Sequence, residues 1–488
     1  MAGVGNRAAI LTLSRLANYG LMLISPIILV RLLTVEQFGR YREFLLYASV
    51  LQSIAVFSIS DSVLYCIPAN PASRWRTVRQ TAVLLACSSL ITVAVVAMLD
   101  LASGGRVLGV FLVPVCLYTL FFSNLDFWDY FWVATDRPGL LFAYTSFRLG
   151  ARVAVAIVTA ALTHDVRAII WALIALEALR LLGAAALMAV HDRSAAEPPL
   201  REPWREQLRY CVPSGTASVL STLKSNLSSL VVAKALGAVA LAQYSIGKFG
   251  EPVVITLRNS VSAVILPEMV ERGRNSRDDS LALWKRATVV NTILLFPVVV
   301  IVMRFASPLV ATVFGRSYAP AALVLQIYMV GVVRECFDFS PALRAVNRTR
   351  PLVGSNVASL AACAIVLAIL IPAGGGVAGA MAAVVVGMVM EAVWLGRATM
   401  RQFGVSLGKL IPWANIGKVT LAAAIAAAVL ATSFWMQMFG RAGIVLGSAA
   451  YLALFALLLL ALRVPEAFGL IAWARRLVPA FDTASRRA

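Results

Sequence analysis

Apolar runs of roughly 20 residues recur along the whole chain, each long enough to cross a ~30 Å hydrocarbon layer. Inside a bilayer no water is available to the backbone, so a run of this kind must close its own hydrogen bonds as a helix. That repetition fixes the class as an all-α polytopic membrane protein. Composition agrees: of 488 residues, 60% are hydrophobic and 14% charged, where soluble domains lie near half and a quarter. The longest polar stretch is about 191–208, which leaves no room for a soluble domain. The first run, Ala8 to about Leu33, is too long for a signal-peptide core and lacks a small-residue cleavage pattern, so it reads as a retained span.

About fourteen transmembrane helices are expected, at roughly 8–33, 43–66, 79–101, 107–133, 139–163, 166–190, 209–236, 241–266, 286–304, 320–343, 352–372, 377–398, 413–437 and 442–463. Their connections alternate in charge. One set carries Arg74, Arg76 and Arg79, then Arg193, Arg201 and Arg205, then Arg272, Arg274 and Arg277, and ends in a basic tail. The opposite set is short and poor in base, such as "LGAVA" (236–240) and "PAGGG" (372–376). Basic loops stay in the cytoplasm, so both termini are expected inside. The net charge of +20 is then largely topogenic, with a share for anionic membrane lipids, and implies no nucleic acid.

Chemistry-bearing motifs are scarce. The six cysteines (Cys66, Cys87, Cys116, Cys211, Cys336, Cys363) lie in or beside spans without paired spacing and read as free thiols, and two histidines rule out a histidine metal cluster. No P-loop or nucleophile elbow occurs. "GGGVAG" (374–379) fits a dinucleotide fingerprint, but it joins two spans with no preceding strand and reads as a tight turn. The expectation is a transporter rather than an enzyme, with no metal and no cofactor.

A weak internal repeat divides the chain. "RLLTVEQFGRY" (Arg31–Tyr41) and "KALGAVALAQY" (Lys234–Tyr244) both read base, nine residues, tyrosine, at an offset of 203 residues. Each follows the first span of a six-span half, as in transporters built from paired repeats with a substrate site near mid-membrane. The domains expected are a six-helix lobe at 1–190, a cytoplasmic linker at 191–208, a second six-helix lobe at 209–400, and two further helices with a tail at 401–488.

Ionisable residues at membrane depth normally face a bundle interior or a wet cavity. In the seventh span Ser214, Ser218, Ser221, Ser225 and Ser228 recur at helical steps, with Lys224 on the same side. Lys248, Glu251 and Arg258 share a stripe of the eighth, Arg15 lies in the first, and Asp61 in the second. Arg148 and Arg152 stand one turn apart in the fifth. A cavity lined by the first two spans of each half would be cationic. Lys248–Glu251 and Glu177–Arg180 read equally as i,i+3 ion pairs within a bundle. Arg334, Glu335 and Asp338 look self-neutralising, and Asp126 and Asp129, set among aromatic residues, look interfacial.

Four segments resemble the polysaccharide transporter family, the oligosaccharide-lipid flippases of the multidrug/oligosaccharidyl-lipid/polysaccharide exporter superfamily. They are "RLLTVEQFGRYREF", "LGAVALAQYSIGKF", "VFGRSYAPAALVLQIYMVG" and "NRTRPLVGSNVASL…LIPAGGGVAGAMAAVV", in the family's order along most of the chain. The resemblance implies two six-helix lobes in a V plus two C-terminal helices, with alternating access through a central cavity. It implies an undecaprenyl-diphosphate-linked glycan as substrate, moved between leaflets of a bacterial inner membrane for surface polysaccharide synthesis. Polysaccharide polymerase machinery is an expected partner. The phosphate-binding candidates are Arg15, Lys224, Lys248, Arg258, Arg148 and Arg152. Asp61 and Glu251 are candidates for coupling to a proton or sodium gradient. The readings that stay open are a peptidoglycan lipid-precursor flippase and a cation-coupled multidrug antiporter of the same fold.

Overall fold

The computed structural model describes residues 20, 23–191, 196–198, 203–273, 276–430 and 432–469. Arg15 lies outside them. Among the described residues all regular structure is helical, and nine helices are long and apolar enough to cross a membrane. One of the nine, Trp204–Gly273, runs for 70 residues, enough at ~1.5 Å per residue for two crossings. The chain packs as two units, Met1–Ala242 and Gln243–Ala488.

The first unit holds α1 (Leu23–Leu32), α2 (Val35–Val56), α3 (Val63–Ala69), α4 (Arg74–Ala102), α5 (Leu112–Ser123), α6 (Phe127–Ala134), α7 (Pro138–Thr163), α8 (Val166–His191) and most of α9 (Pro203–Gly247). Thr34 starts α2 with a capping box, in which its hydroxyl accepts from Gln37 N at 3.2 Å and its own N–H donates to the Gln37 amide oxygen at 3.0 Å. At the equivalent point of the repeat α9 does not end; it kinks at Gly237 (φ 82°, ψ −177°), a conformation that costs glycine little. The two copies of the repeat pack on each other. Gly39 on α2 meets the Ala238 carbonyl so closely that any Cβ would overlap it. A core of this unit is built from Ile59, Val63, Leu85, Leu125, Phe127 and Trp128.

The second unit holds α10 (Glu251–Gly273), α11 (Arg277–Val313), α12 (Ala321–Glu335), α13 (Ser340–Ala345), α14 (Arg350–Leu370), α15 (Gly376–Phe403), α16 (Leu407–Leu410), α17 (Trp413–Ala427), α18 (Thr432–Phe439) and α19 (Ala442–Ala461). The α14–α15 hairpin turns at "PAGGG", where Gly374 and Gly376 take positive φ. Val289 and Phe305 of α11 pack with Val419 of α17 and Tyr451 of α19, so the last two spans rest on α11. A separate cluster joins Met269, Trp284, Phe339, Leu343 and Leu395.

Four spans expected to be continuous are broken: the second at 57–62, the fourth at 124–126, the tenth at 336–339 and the thirteenth after Ala427. Average hydropathy does not register these breaks; at the first three, short polar side chains bond the backbone. Ser62 Oγ donates to Ile59 O at 2.5 Å, Asn124 Nδ2 to Leu120 O at 2.7 Å, and Asp338 Oδ1 accepts from Ser340 N at 3.0 Å. Non-helical backbone at this depth persists where protein or a polar cavity surrounds it.

Candidate functional site

In the first unit the second span breaks at "FSISDS". Phe57 (φ 41°) and Ser58 (φ 54°) are left-handed, and Ser58, Ser60 and Ser62 are buried. The polar face of α9 is applied to this break. Gln207 Nε2 donates to Ser62 Oγ at 2.7 Å and to Thr81 Oγ1 at 2.9 Å. Cys211 Sγ approaches Ser58 O at 3.7 Å, and Ser214 Oγ meets Ser58 Oγ at 3.3 Å. Gly215 lets the α9 backbone reach Phe57, whose carbonyl oxygen would stand 2.6 Å from an added Cβ. The lower part of the serine stripe therefore binds a neighbouring span. Further along α9, Lys224 is half-buried and Ser228 buried, while Lys234 donates to Arg106 O at 3.3 Å and lies 5.1 Å over the Tyr47 ring.

The break of the fourth span places Asp126 and Asp129 beside Arg148, with Asp61 and Tyr130 in electrostatic reach. Arg148 pairs with Asp129 at 2.5 Å, and Thr145 Oγ1 donates to the same carboxylate at 3.3 Å. One turn on, Arg152 stands 3.9 Å from Glu177 and over the rings of Tyr118 and Phe122 at 5.4 and 5.2 Å. Glu177 is also held by Arg180, whose other nitrogen donates to Tyr144 Oη at 3.0 Å. Four carboxylates (Asp61, Asp126, Asp129, Glu177) thus face three guanidiniums (Arg148, Arg152, Arg180).

A comparable arrangement lies in the second unit, where the tenth expected span breaks between α12 and α13. Arg258 on α10 pairs with Glu335 and lies 3.8 Å from Asp338. Ser262 Oγ donates to Asp338 at 2.8 Å, and Trp284 Nε1 donates to its backbone oxygen at 2.6 Å. Arg334 bridges Glu335 at 2.8 Å and Glu391 at 3.5 Å. Lys248, in the turn before α10, pairs with Glu251 at 3.1 Å. Here too four carboxylates meet three cations. Charges held this way are costly to bury alone and stable when paired, and removing either partner leaves the other available to a competing ion.

The structure therefore places Arg148 and Arg152 together in the first unit, and in the second Arg258 on α10 with Lys248 in the turn before it; each has a carboxylate partner. The sequence reading passed over Asp129, Glu335 and Asp338 as partners of these bases. Their signal was a short polar residue or acid at the middle of an apolar span, next to the point where the helix breaks.

Comparison with known structures agrees on the fold. The fold is similar to that of the lipid II flippase MurJ in an inward-closed conformation, with a TM-score of 0.68, 13% identity, and coverage of 93% of this chain and 99% of that one. It is also similar to an inward-facing multidrug resistance MATE family transporter of the MOP superfamily, with a TM-score of 0.57, 15% identity, and coverage of 79% and 94%. The architecture is the one these membrane transporters share. Within it, residues 140–323 match the family model described as polysaccharide biosynthesis protein, in line with the resemblance to the polysaccharide transporter family of that superfamily. Comparison with curated protein sequences gave no match.

Proposed function

We propose that the chain is a flippase that moves an undecaprenyl-diphosphate-linked oligosaccharide from the cytoplasmic to the periplasmic leaflet of a bacterial inner membrane, for surface polysaccharide synthesis. The observation that carries this reading is the match of residues 140–323 to a polysaccharide biosynthesis family inside a flippase-like fold. The ion-pair clusters supply a mechanism. A diphosphate competes with carboxylates for guanidinium forks, since both anions accept paired N–H bonds. Arg148 and Arg152 in one unit and Arg258 in the other give up Asp129, Glu177 and Glu335 as the phosphate arrives. Lys224 and Lys248 add point charges, and Arg15 belongs to the same set by sequence.

A carboxylate released from its arginine in a poorly hydrated site takes up a proton or a sodium ion. Substrate entry is then coupled to ion binding at the acidic members of each cluster, Asp61 and Glu251 included. Alternating access follows when the acids recapture the arginines and expel the phosphate on the other side. An antiporter for organic cations would instead be expected to leave its carboxylates open to the substrate. Asp129, Glu177, Glu251 and Glu335 each stand beside a base.

The test is a reconstituted flipping assay with a fluorescent undecaprenyl-diphosphate oligosaccharide, read by a membrane-impermeant quencher. Flipping should fall at least tenfold in Lys224→Ala, Arg258→Ala protein that still inserts and elutes as a monodisperse peak. Undiminished flipping in that variant would sink the residue assignment. Wild-type protein that moves no diphosphate-linked glycan would sink the function.

A further inference from the structure

A cleft of about 1040 Å³ opens in the second unit where the start of α14 meets the end of α15. Arg348, Arg350, Arg397 and Arg401 line it, with Trp394 and Met390, and no carboxylate is among its lining residues. The four arginines are exposed, and none forms an ion pair among the described residues. This sets the cleft apart from both buried clusters, where bases and acids are matched. The α14 N-terminus adds to the positive potential: Arg350 is its first residue, and Thr349 before it makes no side-chain capping bond.

The approach to the cleft along α15 is apolar. Val386, Met390 and Trp394 are 41, 40 and 45% exposed, and Arg397 and Arg401 continue the same face at helical steps. Val353 and Val357 do the same on α14, at 54 and 50%. Between them the Trp394 indole lies on Gly354, where an added Cβ would stand 2.9 Å from the ring. The order along the stripe is aliphatic, then tryptophan, then arginine. A membrane lipid has the same order of acyl chain, interface and phosphate, and tryptophan favours the interfacial level.

We propose that this cleft binds the phosphate headgroup of a membrane lipid, with the four arginines on the phosphate and the apolar stripe along the chain. Arginine's planar fork suits phosphate oxygens. The proposal stands apart from the transport reading, since a phosphate-headed lipid is held here whether or not the chain flips one. The phosphate comes either from an anionic glycerophospholipid or from an isoprenoid phosphate.

Native mass spectrometry of the full chain in detergent tests it, with phosphatidylglycerol, phosphatidylcholine, decaprenyl phosphate and inorganic phosphate as separate probes. Wild-type protein should retain phosphatidylglycerol or decaprenyl phosphate well above phosphatidylcholine, and whichever binds more tightly identifies the source. Arg397→Gln, Arg401→Gln should weaken that retention by about 25-fold, at roughly fivefold per charge near a membrane surface. Arg348→Gln, Arg350→Gln should do the same from the α14 side, which keeps the test readable if one pair fails to fold. Retention unchanged in a folded pair, no preference over phosphatidylcholine, or displacement by equimolar inorganic phosphate would each overturn the lipid site.

Discussion

Replacing Gly215 by alanine drives a methyl group into the break of the second span. The added carbon would lie 2.6 Å from both the Phe57 carbonyl oxygen and ring Cδ1, against an ordinary contact of about 3.5 Å. A ring can turn aside, but the carbonyl is fixed, because left-handed Phe57 is anchored by its N–H to Ser53 O at 3.2 Å. The α9 backbone must therefore retreat by about 0.9 Å, the difference from an ordinary contact. Retreat on that scale breaks the 3.3 Å Ser214–Ser58 bond and strains the 2.7 Å Gln207–Ser62 bond.

Overpacking costs about 1–3 kcal/mol and each lost bond about 1 kcal/mol. Alanine recovers close to 1 kcal/mol of helix propensity. The net expectation is a loss of about 1–3 kcal/mol, with one bond broken and the propensity gain offsetting it. Equilibrium unfolding in detergent, followed by tryptophan fluorescence, reads it, and flipping should fall alongside. Gly417→Ala is the control: it lies in α17 with nothing within 4 Å of its added Cβ, and should be neutral or stabilising by up to about 1 kcal/mol. A Gly215→Ala protein that unfolds at or above the wild-type midpoint would refute the reasoning.

Three further outcomes are expected. Glu335→Gln alone should destabilise the second unit by about 2–4 kcal/mol, because Arg258 and Arg334 lose a shared, buried partner. Combined with Arg258→Gln it should cost less than the sum, giving a coupling energy above about 1 kcal/mol in a double-mutant cycle. If carboxylates gate the arginines, Glu335→Gln should also raise affinity for a soluble diphosphate about tenfold, measured by calorimetry, a modest share of the ~4 kcal/mol of such a pair at an intermediate dielectric. Trp284→Phe removes the 2.6 Å bond to Asp338 O from a buried site. It should lower stability by about 1–3 kcal/mol while leaving lipid retention in the arginine cleft unchanged.

Much of this architecture was legible before folding. Spans long enough for the bilayer, a repeat at Arg31 and Lys234, and bases at membrane depth are all one-dimensional signals. The glycine turn at "PAGGG" was equally plain, since it interrupts two apolar runs. The breaks were not. "FSISDS" lies in an apolar window, and the helix is interrupted there where buried Ser62 bonds the backbone oxygen of Ile59. Partner choice was hidden as well. Arg258 and Glu335 are 77 residues apart, and no helical period relates them, whereas Lys248 and Glu251 are neighbours by period and were read as such. Asp129 sits among aromatic residues, which drew the reading toward a membrane interface.

The sequence by itself determined the solvent this chain must live in and the helices it must form, because a bilayer leaves an apolar backbone no alternative. It also marked the paired segments Arg31–Tyr41 and Lys234–Tyr244. Only the tertiary structure decided which buried charges neutralise one another and which do not. Ion pairing depends on side chains brought within about 4 Å, and that proximity is set by how α6 meets α7 and how α10 meets α12. The same packing gave Lys224's helix its principal task in the described residues, closing over the broken second span. It also left four arginines without an ion pair among the described residues, where α14 begins and α15 ends.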